Sequence, residues 1–219
     1  VDKENRMVGI VTFDDAMDVM EEEATEDMEI MAAISPSEKP YMKMGVFQIW
    51  KKRIPWLLLL MITATITSKI ISSFEAALSA CVALTAFIPM LMDTGGNAGS
   101  QASVSVIRGL SMDEIEPKDA FRVLLKEVRV SLLCAATLAP VAFLKVLFID
   151  RETMLVSITV AFTLFFTVCL AKVIGCLLPL LAKKMKLDPA VMASPLITTV
   201  VDALSLLLYF AFASRILGL

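Results

Sequence analysis

The chain has 219 residues, 58% of them hydrophobic, with a mean hydropathy of +0.77 and a net charge of only −3. Soluble globular domains are about 45–50% apolar, so this composition describes an integral membrane protein. It holds no histidine, which removes the commonest metal ligand and general base, and no basic stripe of the kind that binds nucleic acid.

In chain order, Met7–Phe13 (MVGIVTF) has the composition of a strand, and Asp14-Asp15 follows where a helix cap belongs. A lone strand is not stable, so the chain is expected to begin inside a soluble domain. The next helix is predicted over roughly Asp15–Ile34, with Ala16, Val19, Met20, Ala24, Met28 and Met31 at helical spacing. Glu21, Glu22, Glu23, Glu26, Asp27 and Glu29 load its other faces with like charge, which destabilises a helix at i,i+4. Such a run is either a solvated face or a place where cations neutralise the acids and so control where the helix sits.

Ser35–Pro40 (SPSEKP) reads as a linker, and Met42–Arg53 as an amphipathic helix ending in Lys51-Lys52-Arg53, with Trp50 and Trp56 at interface height. Five membrane spans are predicted near 54–74, 77–107, 127–149, 154–182 and 190–213, each long enough to cross about 30 Å of hydrocarbon. Lys and Arg concentrate in the N-terminal flank, the 108–126 loop and the 183–186 loop, which all fall on one face. By that bias the N-terminus is cytoplasmic and the C-terminus outside. Pro89, Pro140, Pro179 and Pro195 are expected to bend spans two to five and free backbone carbonyls. Cys81, Cys134, Cys169 and Cys176 lie singly in apolar runs and form neither a disulfide framework nor a zinc site.

Two spans carry polar groups that lipid would penalise. Pro89–Gly109 (PMLMDTGGNAGSQASVSVIRG) holds Asp93, Asn97 and Gln101, with Asp93, Gly96, Ser100 and Ser103 at stripe spacing. Gly95 and Gly99 form a GxxxG that lets another backbone approach closely. Asp202 lies about 13 residues into the fifth span, near mid-membrane at a rise of about 1.5 Å per residue, where a charge is functional by default. Pro195, Thr198, Asp202, Ser205 and Tyr209 form one polar stripe. The competing explanation is a structural ion pair between Asp202 and Lys172 on the fourth span. The available ligands are all oxygen, which suits hard cations such as Mg²⁺ or Ca²⁺ rather than zinc or copper. Mg²⁺ gives up its waters reluctantly, so one or two carboxylates with carbonyls would hold the hydrated ion. Five spans make a thin wall for a pore, and a two-fold dimer would bring two Asp202 side chains together.

PMLMDTGGNAGSQAS followed by VIRGL resembles the second transmembrane helix of the MgtE magnesium channel family, and KLDPAVMASPLITTVVDALSLLLYF resembles its fifth. MVGIVTFDDAMDVMEEEATEDMEIMA resembles the end of that family's second CBS domain and the helix joining it to the membrane. The resemblance implies an all-α membrane protein in the inner or plasma membrane. It would be a homodimeric, Mg²⁺-selective channel with five transmembrane helices per subunit, the pore at the two-fold interface and lipid around it. Residues 1–14 would be the remnant of a cytoplasmic CBS domain, 15–40 the acidic connecting (plug) helix and linker, 41–53 a juxtamembrane helix, and 54–219 the pore domain.

Asp202 matches the family's pore aspartate, Thr198 the position offering a backbone carbonyl beside it, and Gly96 and Ser100 pore-lining positions. Asp93 joins these as a candidate metal ligand, and Asn97, Pro195 and Ser205 as candidate pore-lining residues. Glu22, Glu23, Glu26 and Asp27 are the expected regulatory cation ligands of the plug. Two positions depart from the pattern: Ser100 stands where asparagine is often seen, and Asp93 is an acid where a small residue is expected. Either would alter selectivity or add a second ion site. Mn²⁺, Co²⁺ and Ca²⁺ stay open beside Mg²⁺. The alternatives are a secondary transporter exchanging a dication for Na⁺ or H⁺, and a non-transporting scaffold whose polar stripes only glue helices together. No nucleophile–base set is visible, so no enzyme is expected.

Overall fold

The computed structural model describes residues 3–37, 39–192 and 194–218, and among these every regular element is helical. The strand expected at Met7–Phe13 does not form: residues 7–12 are exposed and irregular, and Phe13 opens helix α1, Phe13–Met31. No described segment offers it a neighbour, and extended backbone without a partner leaves its ladder bonds unmade. The cap is Thr12 rather than the Asp14-Asp15 pair. Thr12 Oγ1 accepts from the Asp15 amide at 3.2 Å, and the Asp15 carboxylate accepts from the Thr12 amide at 3.0 Å, a reciprocal capping box. The Thr12 hydroxyl and amide together hold the Asp15 carboxyl below the ordinary carboxylate value.

The linker after α1 is tied at both ends. The Ser37 amide donates to the Glu29 carboxylate at 2.8 Å, and the Lys52 ammonium donates to the Ser35 carbonyl at 3.4 Å and also to that of Pro36. Lys52 belongs to α2, Val46–Ser73, which is one continuous helix preceded by a short turn at Tyr41–Lys43. The juxtamembrane helix and first span expected as separate elements are therefore fused. A basic cluster does not interrupt a helix, and Pro55 lies within it without ending it.

A short α3 (Glu75–Ala80) leads into α4 (Ala83–Ser111). The turn Pro117–Asp119 then introduces α5 (Ala120–Leu144), which closes in a wider turn at Lys145–Ile149. Helix α6 (Met154–Lys184), the turn Pro189–Met192 and α7 (Ser194–Leu217) complete the chain. Pro89, Pro140 and Pro179 sit inside α4, α5 and α6. Pro195 does not bend the fifth span: it stands in the first turn of α7, where a missing amide costs nothing. Its carbonyl instead accepts from the Thr198 and Thr199 hydroxyls, both at 3.0 Å.

Among the described residues, four helical runs are long and apolar enough to cross a membrane: Val46–Ser73, Pro117–Ile149, Met154–Lys184 and Pro189–Leu217. Helix α4 has the length but not the apolarity, because its middle carries Asp93, the glycines and Asn97. It compensates by burying one side. Helix α6 runs between α4, α5 and α7, α4 also lies along α7, and α2 leans on α7 without a buried residue of its own. Leu84, Leu91, Val160, Val168, Ile197 and Leu206 fill this core. The Tyr209 hydroxyl donates to the Leu84 carbonyl at 2.9 Å, and Phe74 stacks on Phe210 at 4.4 Å between centroids. At the opposite end of α4, Ile30 and Met31 of α1 pack against buried Ile107 and Ala190. Helix α1 is thereby docked onto the last turn of α4 and the turn that precedes α7.

Candidate metal centre

Small residues decide how close α4 comes to its neighbours. A Cβ on Gly175 would overlap the Gly99 carbonyl oxygen, so α4 and α6 meet backbone to backbone. A Cβ on Gly95 would lie 2.7 Å from Thr167 Cγ2 and 3.1 Å from Ser205 Oγ. The GxxxG expectation of a close neighbour is met, on α6 and α7 at once.

One residue further round, at the edge of this contact, the candidate ligands assemble. A Cβ on Gly96 would stand 3.0 Å from Thr198 Cγ2 and 3.9 Å from Asp202 Oδ1. Gly96 is buried, while Thr198 and Asp202 are half-buried. Asp202 is thus held at the rim of the α4–α7 crossing, its carboxylate beside a backbone with no side chain to cover it. Asp93 is exposed on the turn of α4 before Gly96, within electrostatic reach of Asp202. The exposed side of α4 continues at helical spacing through Asn97, Val104, Arg108 and Ser111, with Ser100 half-buried among them.

The structure brings together Asp202, Thr198, Gly96 and Asp93, and sets Asn97 and Ser100 on the same open side of α4. Ser205 departs from expectation. It is 1% exposed, donates to its own Val201 carbonyl at 2.6 Å and faces Gly95, so it packs the α4–α7 seam instead of lining an open surface. Tyr209 turns inward likewise. Ser103 is buried, its hydroxyl donating at 3.4 Å to the Met192 carbonyl, which ties α4 to the turn before α7.

Lys172 does not pair with Asp202. The ion pairs given by the described residues are Arg6–Glu4, Lys118–Glu116, Arg122–Asp119 and Lys145–Asp150, and none includes Asp93, Lys172 or Asp202. No three His, Cys, Asp or Glu side chains converge on a metal position among the described residues. One chain offers the crossing two carboxylates, a hydroxyl and backbone oxygens, which suits a hydrated hard cation better than a closed cage.

A second acidic locus lies where α1 docks. Asp27 is half-buried and accepts from the Ser111 hydroxyl at 3.3 Å. Burial first, then the Asp188 carboxylate, push its carboxyl above the ordinary 3.8; the Ser111 hydrogen bond pulls the other way, and Glu23 adds to the rise. Glu22, Glu23 and Glu26 are exposed. Glu22 and Glu26 line an open cavity of about 780 Å³ between α1 and the Tyr41–Met44 region. Sequence reasoning missed Asp188 and Ser111. Asp188 also accepts from the Ala190 amide at 2.8 Å, and its place just before Pro189 was the available signal.

A family profile described as MgtE, a divalent cation transporter, matches residues 88–212. The chain is 38% identical over 217 residues to the magnesium transporter MgtE of Thermus thermophilus, covering 99% of this chain and 48% of that protein. It is 40% identical over 218 residues to the magnesium transporter MgtE of Bacillus subtilis, covering 98% and 47%. The protein of the same name from Enterococcus faecalis is 30% identical over 213 residues, covering 97% and 46%. The chain spans about half the length of these relatives.

Proposed function

The chain belongs to the MgtE family of divalent cation transporters, and from that premise we propose that it forms the conducting part of a Mg²⁺ channel, built by two copies about a two-fold axis. As a member of that family it is a membrane protein and not an enzyme. The observation that carries the proposal is the rim of the α4–α7 crossing, where Asp202 has no ion-pair partner among the described residues and stands against bare backbone at Gly96. Lipid cannot accept the open side of α4 that runs on from it. A second copy enclosing a water-filled path can.

In this reading α4 is the fifth crossing, shielded by α6 and α7 on one side and by the path on the other. On the same reading the Ile107–Ser111 end of α4, where α1 docks, faces the cytoplasm, as the Lys/Arg bias of the loops supports. Two Asp202 carboxylates across the axis, with the Thr198 backbone carbonyls and Gly96, hold Mg²⁺ through its water shell and penalise a monovalent ion. Asn97, Ser100 and Pro195 line the approach. Helix α1 is the plug: a cation shared by Asp27 and Asp188, with Glu22, Glu23 and Glu26 nearby, would neutralise acids that repel one another and hold the helix on the pore mouth. Residues 1–14 are the end of a CBS domain in this scheme.

Purified chain in liposomes, loaded with a Mg²⁺-sensitive dye, tests the proposal. Asp202→Ala should cut Mg²⁺ influx to background, a loss of at least about a hundredfold if the carboxylates supply even 3 kcal/mol of ion stabilisation. Influx should persist with Na⁺ and proton gradients collapsed, whereas an exchanger would stop. Wild-type flux through the variant would sink the assignment.

A further inference from the structure

Asp93 is a carboxylate that packing does not explain. Helix α4 buries Leu91, Gly95, Gly96, Ala98 and Gly99 around it, yet Asp93 itself is exposed. It has no salt bridge among the described residues, and a lipid-facing carboxylate would be expensive. Its position relative to Asp202 is what gives it a role. Gly96, where an added Cβ would stand 3.0 Å from Thr198 Cγ2 and 3.9 Å from Asp202 Oδ1, follows Asp93 by three residues, or about 4.5 Å along the helix axis. Helix α4 runs from Ala83 towards the end where α1 docks at Ile107 and Ser111. Asp93 therefore lies between Asp202 and the end of the bundle away from α1.

We propose that Asp93 is the entry residue of the path, drawing dications from the side opposite α1 and passing them to Asp202. The proposal rests on the pore reading above and deepens it. In a dimer the two Asp93 carboxylates form a second negative ring, about one helical turn from the first. A ring at the approach raises the local dication concentration before any ion is bound at Asp202, and two sites in series let one ion leave as the next arrives. Asp93 acts on capture, Asp202 on holding. The two roles separate in a saturation curve.

The test is Mg²⁺ influx into liposomes against external Mg²⁺, at low and high concentrations of inert choline chloride, for the wild type, Asp93→Asn, Asp93→Glu and Asp202→Ala. At low ionic strength Asp93→Asn should raise the half-saturating Mg²⁺ concentration about three- to tenfold while lowering maximal influx by less than about twofold. The gap should narrow as choline chloride is added, because screening shortens the reach of an exposed charge. Asp93→Glu should restore the wild-type curve, which an effect of misfolding would not do. An unchanged half-saturation in Asp93→Asn, or a loss confined to maximal influx, overturns the role of Asp93. Absent wild-type influx, or wild-type behaviour in Asp202→Ala, overturns the pore reading instead.

Discussion

The two sides of α4 differ in chemistry and in what explains it. The inner side presents Gly95, Gly99 and Ser103, all buried, each with an identifiable contact on α6, on α7 or in the turn before α7. The outer side presents Asp93, Asn97 and Arg108, all exposed, and none of them has an ion pair among the described residues. Polarity in a membrane helix has two separate causes, and one helix here shows both. Small residues inside let backbones meet, and carboxylates and amides outside need water or a second copy. Gly96 and Asp202 sit on the boundary, so the rigid seam fixes where the open side places its charge.

Breaking the inner side should have the largest effect on the fold. Gly175→Ala drives a methyl into the Gly99 carbonyl, and backbone cannot step aside as a flexible side chain can. Overpacking of this kind costs about 1–3 kcal/mol or more, and it would separate α4 from α6. A lower melting temperature in detergent and loss of Mg²⁺ influx should appear together. Unaltered stability would mean that the two helices are not in backbone contact.

The outer side ends at Ser111, whose hydroxyl reaches Asp27, and there the expected effect is smaller and depends on pH. The Asp27 carboxyl is held above 3.8 where α1 docks, so proton binding favours the docked helix. That advantage is complete below 3.8 and is lost as pH rises through the raised value. A dication can replace the proton at neutral pH. Mg²⁺ should therefore slow amide hydrogen exchange in α1 near pH 7 and do much less in acid. Asp27→Asn should flatten both dependences. A full Mg²⁺ effect in that variant would move the regulatory site to the exposed Glu22, Glu23 and Glu26.

Helix order and the shared face of Thr198 and Asp202 were legible in the sequence because both rest on periodicity, whereas the approach of Gly96 to them is a contact between two helices that spacing alone does not give. Apolar runs mark α2 and α5 to α7, and residues four apart share a helix face whatever the packing. The features that were misread depend on what lies beside them. Met7–Phe13 has strand composition but no neighbour, and Lys51-Lys52-Arg53 marks an interface without ending the helix that passes through it. Pro195 was read as a bend because its place relative to the start of α7 cannot be seen in the residues themselves. Ser205 shares a stripe with Asp202, yet Gly95 opens room for it and draws it inside. Asp188 meets Asp27 only through the docking of α1, a contact between residues far apart in sequence.

The smallest expected effect tests the claim that the inner side is explained by packing alone. Among the described residues, Thr167 Oγ1 is the one buried side-chain polar atom without a hydrogen-bond partner. Thr163, one turn earlier, donates to the Thr159 carbonyl at 2.7 Å, as threonines in membrane helices commonly do. Thr167 instead turns its methyl to the bare backbone of Gly95, and its hydroxyl is left over. If the seam works by shape, Thr167→Val keeps the methyl against Gly95 and removes an unsatisfied group. Hydrogen bonds between membrane helices are worth about 0.6 kcal/mol on average, so the gain should be of that order. It would register as a rise of a degree or two in melting temperature, with Mg²⁺ influx unchanged. A drop in influx at equal stability would instead assign the Thr167 hydroxyl to the path, and α4 would then be polar for the same reason on both sides.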